Sequence, residues 1–240
     1  MIRLRIKAPF AAFRPFAAGS FRPSAPFVTF SAAYGLAMNI AGIETRYDDR
    51  KLPMTLMRQG LPSVEMAIGV ITVPKKHTIY QQLHNYPIGS TGKEYANRCR
   101  GAKYNIQPIR REFLSGIDGY ICIDKNAEIE EKIRLGMRIG SNTANNEELR
   151  YGIPFLGDNN HMVDILQEEE KPLKKAYWYQ KVGLEYGDNL RSRCRMTIWI
   201  DRANMQGTIS QIFELTEVPL FEPPQKAWIE ITPPDARQDG

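Results

Sequence analysis

Alternation of apolar and basic side chains opens the chain and constrains its first segment most strongly. Residues 2–7 are I-R-L-R-I-K. Because successive side chains of a strand point to opposite faces, this period of two predicts a β-strand over about Ile2–Ala8, with one buried face and a basic ridge on the other. The amphipathic helix of an organelle-targeting segment does not fit this period. A strand that begins at the second residue leaves little room for a leader, so we expect a cytoplasmic protein.

Two helical patterns alternate with further strand patterns. Val64–Val73 and Ile117–Ile123 are rich in Val and Ile and predict buried strands. Ala32–Ala41 predicts a short helix with Ser31 as its N-cap, and Ala127–Arg138 predicts a longer one with acidic residues in its first turns. The order strand-helix-strand, repeated once, is typical of an α+β domain of the ferredoxin-like class.

The last third of the chain has strand patterns only. Strands are expected at about 161–167, 176–182, 196–200, 209–217 and 227–232. This pattern predicts an additional β-rich part over residues 166–240, packed on a first domain over residues 1–165. The acidic run Glu168–Glu170 is expected to form a solvated face or a contact with a partner.

Charge is distributed unevenly along the 240 residues, although the net charge is only +5. Residues 1–43 carry five basic side chains and no acid, and residues 73–111 carry eight basic side chains against one acid, a net +7. Residues 112–240 carry 15 basic against 22 acidic side chains, a net −7. This asymmetry indicates a polyanion on one face and a protein partner or solvent on the other.

Several classes of protein are excluded by what the sequence lacks. The uncharged stretch 23–43 is interrupted by prolines, glycines and polar residues, so it predicts a buried strand-turn-helix and no membrane span. No phosphate-binding glycine loop and no nucleophile elbow is present, and the three cysteines and three histidines have no metal-ligand spacing. We therefore expect no cofactor and no metal, and we interpret Asp158–His161 as a turn rather than an ion site.

The strongest local signal is residues 74–111, a long polar excursion with the character of a hairpin that projects from the sheet. Its eight basic residues are interleaved with four tyrosines. Basic groups neutralise phosphates and aromatic faces stack on unpaired bases, so the pattern favours single-stranded RNA over duplex DNA. A solubilised surface loop whose tyrosines fill a minor cluster is the alternative interpretation.

Five stretches resemble one known family. The opening I-R-L-R-I-K-A-P-F-A-A-F-R, followed by S-A-P-F-V-T-F-S-A-A-Y-G-L from Ser24, resembles the Cas protein family that holds the crRNA 5′ handle in type I Cascade. Y-Q-Q-L-H-N-Y-P-I-G-S-T-G-K-E from Tyr80, G-A-K-Y-N-I-Q-P-I-R-R-E-F-L from Gly101 and R-Y-G-I-P-F-L-G-D-N-N from Arg150 resemble its Myxan subtype of type I-B systems. The match covers roughly residues 1–165. The glycine-rich loop of RAMP proteins is only loosely represented, by Gly152 and Gly157.

The resemblance implies a RAMP-type ferredoxin-like (RRM-like) domain with a long basic β-hairpin thumb at about residues 74–111. It implies a Cascade subunit of antiviral defence that binds the crRNA 5′ handle and caps the foot of the backbone filament. Its partners would be the backbone subunits, the large subunit and, indirectly, target DNA, with no membrane. The candidate RNA-binding residues are Lys7, Arg14, Ser31, Tyr80, His84, Asn85, Lys93, Arg98, Arg100, Lys103, Tyr104, Asn105, Arg110 and Arg111.

Two alternatives stay open from the sequence. A relative of this family in type I-C systems cleaves precursor crRNA without a metal, which needs a base near the 2′-hydroxyl and a cation for the phosphorane charge. His84, with Tyr80 and Lys103, would be the candidates for such an endoribonuclease. A lone histidine without an acid partner favours a contact with RNA, so we expect a binding protein that is not an enzyme. A protein-only scaffold would leave the +7 segment unexplained.

Overall fold

A computed structural model describes residues 1–15, 21–48, 50, 55–84, 106–139, 152–158, 160–182, 193–202 and 204–233. Its helices are α1 (Phe30–Ile40) and α2 (Ala127–Ile139), and short 3-10 turns lie at Met205–Gly207 and Gln225–Ala227. Its strands are β1 (Ile2–Ala11), β2 (Arg46–Tyr47), β3 (Leu56–Met57), β4 (Val64–Thr72), β5 (Lys75–His84), β6 (Ile106–Asp124), β7 (Ile165–Glu168), β8 (Tyr177–Lys181), β9 (Cys194–Trp199), β10 (Ile209–Leu215) and β11 (Ile229–Ile231).

One antiparallel sheet organises the chain. Its strand order is β7-β1-β6-β4-β8-β10-β9, with β5 paired to β6 and β11 paired to β4. The strands β2 and β3 form a separate two-stranded sheet. The α+β class is therefore confirmed. The predicted strands of the last third are present within a few residues of their expected bounds, and β8 and β11 both pair with β4. The division at residue 165 stays a prediction.

The alternation in β1 is confirmed for its apolar half. Ile2, Leu4 and Ile6 are buried in the main hydrophobic core. The expected basic ridge is wrong for two of its three members, because Arg3 is only 2% exposed and Arg5 is largely buried. The second face of β1 meets acidic side chains of β6 (Asp118) and of the last third of the chain (Glu169 and Glu222), so these two cations face into the protein.

The two helices cover one face of the sheet. α1 begins after Thr29, whose Oγ1 accepts a hydrogen bond from the Ala32 backbone N–H at 3.3 Å, so Thr29 is the N-cap and the assignment of Ser31 was wrong. The hydroxyl of Ser31 lies 3.1 Å from the Thr29 hydroxyl in the same turn. α2 passes so close to α1 that a Cβ at Gly136 would overlap the carbonyl of Ile40, so only glycine fits there.

Apolar side chains fill both faces of the sheet. Between sheet and helices, the main core contains Phe30, Ile68 and Ile121. On the other face, Trp178 stacks on Tyr120 with ring centroids 6.2 Å apart, in a smaller cluster with Ala67, Cys122, Ala176 and Ala227. Among the described residues, neither helix has the length and apolar character needed to cross a membrane.

Candidate nucleic-acid interface

A two-stranded ribbon made of β5 and the first ten residues of β6 forms the framework of the candidate site. Its pairing begins at Lys75↔Ser115 and continues without interruption to His84↔Ile106. Only two residues separate β5 from β4, and β1 pairs with β6 no further than Leu114. The ribbon therefore continues the centre of the sheet past the end of β1, over about 30 Å at 3.3 Å per residue. Residues 85–105 lie outside the described residues.

Residues 21–24 form a short third segment that lies along β6 where the ribbon leaves the sheet. This segment and the part of the ribbon beside it are called here the ribbon root. The Arg22 backbone N–H donates to the Arg110 carbonyl at 2.8 Å, and the Glu112 N–H donates to the Arg22 carbonyl at 2.9 Å. The Ser24 N–H donates to Oε2 of Glu112 at 2.9 Å, and Lys76 pairs with the same carboxylate at 3.1 Å. These bonds fix residues 21–24 against the ribbon.

Three exposed side chains form a row on one face of the ribbon root, named here the outer row. Tyr80 is 80% exposed and lies directly opposite Arg110. The Arg110 guanidinium carbon lies 5.5 Å from the centroid of the Phe21 ring, which is within cation–π range. None of the ion pairs among the described residues involves Arg110. The outer row thus presents aromatic, cationic and aromatic groups to solvent.

Arg111 has a different environment, although it is the next residue. It is 8% exposed, its Nη2 pairs with Asp158, and its Nη1 donates to Oε1 of Gln81 at 3.2 Å. Burial favours the neutral acid of Asp158, but the hydrogen bonds from Arg111 and the Asn160 N–H outweigh this and lower the pKa of Asp158. Arg111 therefore joins the ribbon to the loop that carries Asp158, and its role in RNA binding stays a prediction.

The loop 152–158 is held against the segment that follows β1. The Ala12 N–H donates to the Leu156 carbonyl at 3.2 Å. Gly157 has φ +80°, and a Cβ there would overlap the Ala12 carbonyl, so this position requires glycine. The loop thus positions Asp158 opposite Arg111, which gives Gly157 a packing role.

Positive charge accumulates at the ribbon root. Partial desolvation by neighbouring groups lowers the pKa of Arg14, and repulsion from Arg22 and Arg111 lowers it further, against a smaller opposing effect of Asp158. Arg14 is nevertheless exposed at the surface. The three guanidinium ions outnumber the carboxylate of Asp158, and the other carboxylate of the ribbon root, Glu112, is paired with Lys76, so the region keeps a net positive field that attracts phosphate. Arg14, Tyr80, Arg110 and Arg111 are thus the predicted residues that belong to the ribbon root.

The other predicted residues are placed elsewhere or are not described. Lys7 is exposed on β1, and Ser31 lies in the first turn of α1. His84 ends β5 opposite Ile106, and its side chain is outside the described part. Also outside the described residues are Asn85, Lys93, Arg98, Arg100, Lys103, Tyr104 and Asn105.

Phe21 and Arg22 were missed from the sequence because they lie in a Pro- and Phe-rich loop with no periodic signal. Their position beside β6 follows from pairing between segments almost 90 residues apart, as in the bond from Ser24 to Glu112. No group of three or more His, Cys, Asp or Glu side chains that would suit a metal ion occurs within the described ranges.

Comparisons with known proteins identify a solved structure that shares this fold. No protein-family model matches the chain, and no curated protein sequence matches it. Among solved structures, the chain is similar to a chain of a CRISPR RNA-guided surveillance complex, with a TM-score of 0.54 and 11% identity over 91% of this chain and 89% of that one. It is also similar to a Cas protein, with a TM-score of 0.46 and 12% identity over 91% and 94% of the two chains. At these identities the first match shows a shared fold.

Proposed function

We propose that this chain is a CRISPR-associated subunit that binds the 5′ handle of crRNA at the foot of a Cascade filament in RNA-guided antiviral defence. The observation that carries the proposal is the outer row, in which Arg110 is exposed between Tyr80 and Phe21. A cation between two aromatic rings suits a single strand, because the cation binds phosphate and the rings stack on bases. The shared fold with a surveillance-complex chain supports the same assignment.

The proposal includes the finer fold class. The connectivity β1-α1-β4-β6-α2-β7 and the strand order β7-β1-β6-β4 are those of a split β-α-β, which supports a RAMP domain of the ferredoxin-like (RRM-like) type. The β5–β6 ribbon would be the stem of the thumb. The partners would be the backbone subunits and the large subunit of a type I-B-like complex in the cytoplasm.

The test is reconstitution with the backbone subunits of the same system and a labelled repeat-derived RNA. We expect the assembled complex to bind the handle sequence more tightly than a scrambled handle of the same length. We also expect Arg110→Ala to weaken this binding, because it removes the exposed cation of the outer row. Equal affinity for the handle and the scrambled handle would contradict handle binding.

We also propose that the chain binds RNA without cleaving it. The two histidines whose side chains are described lie against phenylalanine rings, with His77 stacked on Phe113 and His161 beside Phe10. A histidine that packs against an apolar ring is better suited to contact RNA than to act as a general base. The experiment incubates wild type and His84→Ala with labelled repeat RNA in EDTA under single-turnover conditions. Site-specific cleavage by wild type that is lost in the variant would support the endoribonuclease alternative, since a general base contributes about 10²–10⁴-fold.

A further inference from the structure

Four rings from three separate parts of the chain form a continuous series, named here the ring ladder. His77 on β5 stacks on Phe113 of β6 with centroids 5.1 Å apart and planes inclined by 24°. Phe113 meets Phe10 of β1 edge to face at 5.7 Å, and Phe10 lies 6.5 Å from His161. The ladder thus crosses from the ribbon through the end of β1 to the loop beside β7.

The ring ladder and the outer row lie on opposite faces of the ribbon. His77 pairs with Phe113 and Tyr80 pairs with Arg110, and positions 77 and 80 are three residues apart on one strand. Side chains an odd number of residues apart on a regular strand point to opposite faces. The ladder is therefore a separate surface that the proposed handle contact does not include.

The ladder is accessible. Phe10 is 46% exposed and His77 is exposed as well. The nearby bridge between Phe155 and Met162 adds two more exposed apolar side chains. Contiguous exposed apolar side chains mark interaction sites, whereas apolar residues scattered singly over a surface do not.

The ladder has a cation beside it. Lys75 lies directly opposite Ser115, which also pairs with Phe10 on the other side of β6. Lys75 is exposed, and it forms no ion pair with a described carboxylate. The His77 ring is oriented by a 2.7 Å hydrogen bond between its Nε2 and the Ser115 hydroxyl. Fixed rings beside an unneutralised ammonium suit a nucleotide, whose base stacks and whose phosphate accepts from the lysine.

We propose that the ring ladder is a second RNA contact, in which an unpaired nucleobase of single-stranded RNA stacks on the exposed ring of Phe10, which Phe113 supports edge to face, and its phosphate meets Lys75. This inference rests on the proposed function, because it requires an RNA-binding protein. It adds a site on the opposite face of the ribbon root. An RNA strand bound at both sites passes around the root instead of lying along one face.

The experiment uses the full-length protein and handle RNAs that carry one 2-aminopurine at successive positions. Wild type is expected to quench the fluorescence of at least one position through stacking on the ladder. Phe10→Leu keeps the apolar volume and removes the ring, so we expect about 10-fold weaker binding and loss of quenching at that position only. Stacking releases no counterion. The salt slope, which is the slope of log affinity for RNA against log salt concentration, should therefore be the same for Phe10→Leu and wild type.

A matched control separates the ladder from exposed rings in general. Phe221→Leu removes a ring that is 48% exposed in the last third of the chain, where it contacts Lys175, and should leave affinity and quenching unchanged. His77→Leu is a second ladder variant, to be used if Phe10→Leu lowers the melting temperature. Lys75→Gln should reduce the salt slope by about 0.7, as expected for one phosphate on a single strand.

Three results would overturn the inference. Ladder variants that bind and quench as wild type does would remove the ladder from the RNA site while leaving the proposed function intact. Ladder variants that bind RNA normally but lose a protein subunit from the assembled complex would identify a protein interface. Single-stranded DNA of the same sequence bound as tightly as RNA, with the same ladder dependence, would contradict RNA as the ligand. Failure of wild type to bind any handle RNA would overturn both proposals.

Discussion

β1 and the ribbon root both carry closely spaced cations, but the fold uses them in opposite ways. Arg3 pairs with Glu222, and Arg5 pairs with Asp118 at 3.1 Å and with Glu169 at 3.3 Å. Arg110 at the ribbon root meets an aromatic ring and solvent. Arg3 and Arg5 on β1 are neutralised inside the protein, whereas the outer row keeps its charge available to a ligand.

Charge along a sequence is therefore a poor measure of charge on the surface of the folded protein. The acids that neutralise β1 come from the acidic last part of the chain, so part of the apparent asymmetry cancels on folding. The expectation that Glu168–Glu170 forms a solvated face or a partner contact is wrong for Glu169. Its carboxylate is buried and accepts from Arg5, the Tyr120 hydroxyl and the Leu173 N–H. These bonds outweigh the effect of burial and lower the pKa of Glu169.

The largest predicted effect is on stability, at Arg5. Arg5→Ala would leave Asp118 and Glu169 buried without their cation, so the free energy of unfolding should fall by about 3–5 kcal/mol. Lys7→Ala, two residues away and exposed, is the control and should change it by no more than about 0.5 kcal/mol. Chemical denaturation measures both. Equal stability of the two variants would contradict the internal role of Arg5.

The next effect separates Arg111 from its neighbour. Arg111→Ala removes the partner of Asp158 and should lower the free energy of unfolding by about 1.5–3 kcal/mol, the range for a hydrogen bond to a charged group. The slope of log affinity for RNA against log salt should not change. A slope reduced by about 0.7, with unaltered stability, would instead make Arg111 a phosphate contact. Denaturation and filter binding on the same preparation decide between the two.

Tyr80 should affect binding and leave stability unchanged. Tyr80→Ala removes a ring that is almost fully in solvent, so the free energy of unfolding should stay within about 0.5 kcal/mol of wild type. RNA binding should weaken by about 1–2 kcal/mol if a base stacks on this ring. Tyr80→Phe keeps the ring and should bind as wild type does. Equal binding by all three proteins would exclude Tyr80 from the outer row's function.

The smallest effect concerns pH. Burial lowers the pKa of His161 below 6.5, and Arg111 adds to this against the opposing charge of Asp158. Because the pKa of His161 is lower in the folded than in the unfolded state, protonation of His161 favours the unfolded state. Its contribution to the free energy of unfolding is therefore present above about pH 6.5 and is lost as the pH falls toward the pKa of the folded state. His161→Phe should reduce the fall in melting temperature between about pH 7.5 and pH 5.5. An unchanged fall would show that His161 is not responsible.

The backbone elements were largely predictable, because periodicity in short segments reports burial directly. The predicted strand Ile117–Ile123 was too short, since β6 begins at Ile106. The alternation of core-facing residues along β6 is shifted by one residue at Gly116, which has φ +74°. As a result, Leu114 and Ile117 both face the main core although they are three residues apart. A regular strand would place them on opposite faces, so a fixed period loses the signal at this point.

The site was less predictable than the fold, because its contacts join distant segments. Phe21 reaches Arg110 only through the pairing of residues 21–24 with β6. The partner of Arg111 is Asp158, which has no sequence pattern that marks it as a partner. The ring ladder likewise joins β1, the ribbon and the loop beside β7. The composition predicts only the class of ligand, which is RNA. Which cations lie at the surface and which lie in the interior follows from the fold alone.

The most direct test of the account is the salt dependence of handle-RNA binding by wild type, Arg110→Ala and Arg195→Ala. Arg195 is exposed on β9, at the far edge of the sheet from the ribbon, and provides the matched loss of one cation. We expect Arg110→Ala to weaken binding and to reduce the slope of log affinity against log salt by about 0.7, and we expect Arg195→Ala to change neither. Equal slopes for all three proteins, or a reduced slope for Arg195→Ala alone, would contradict the assignment of RNA binding to the ribbon root.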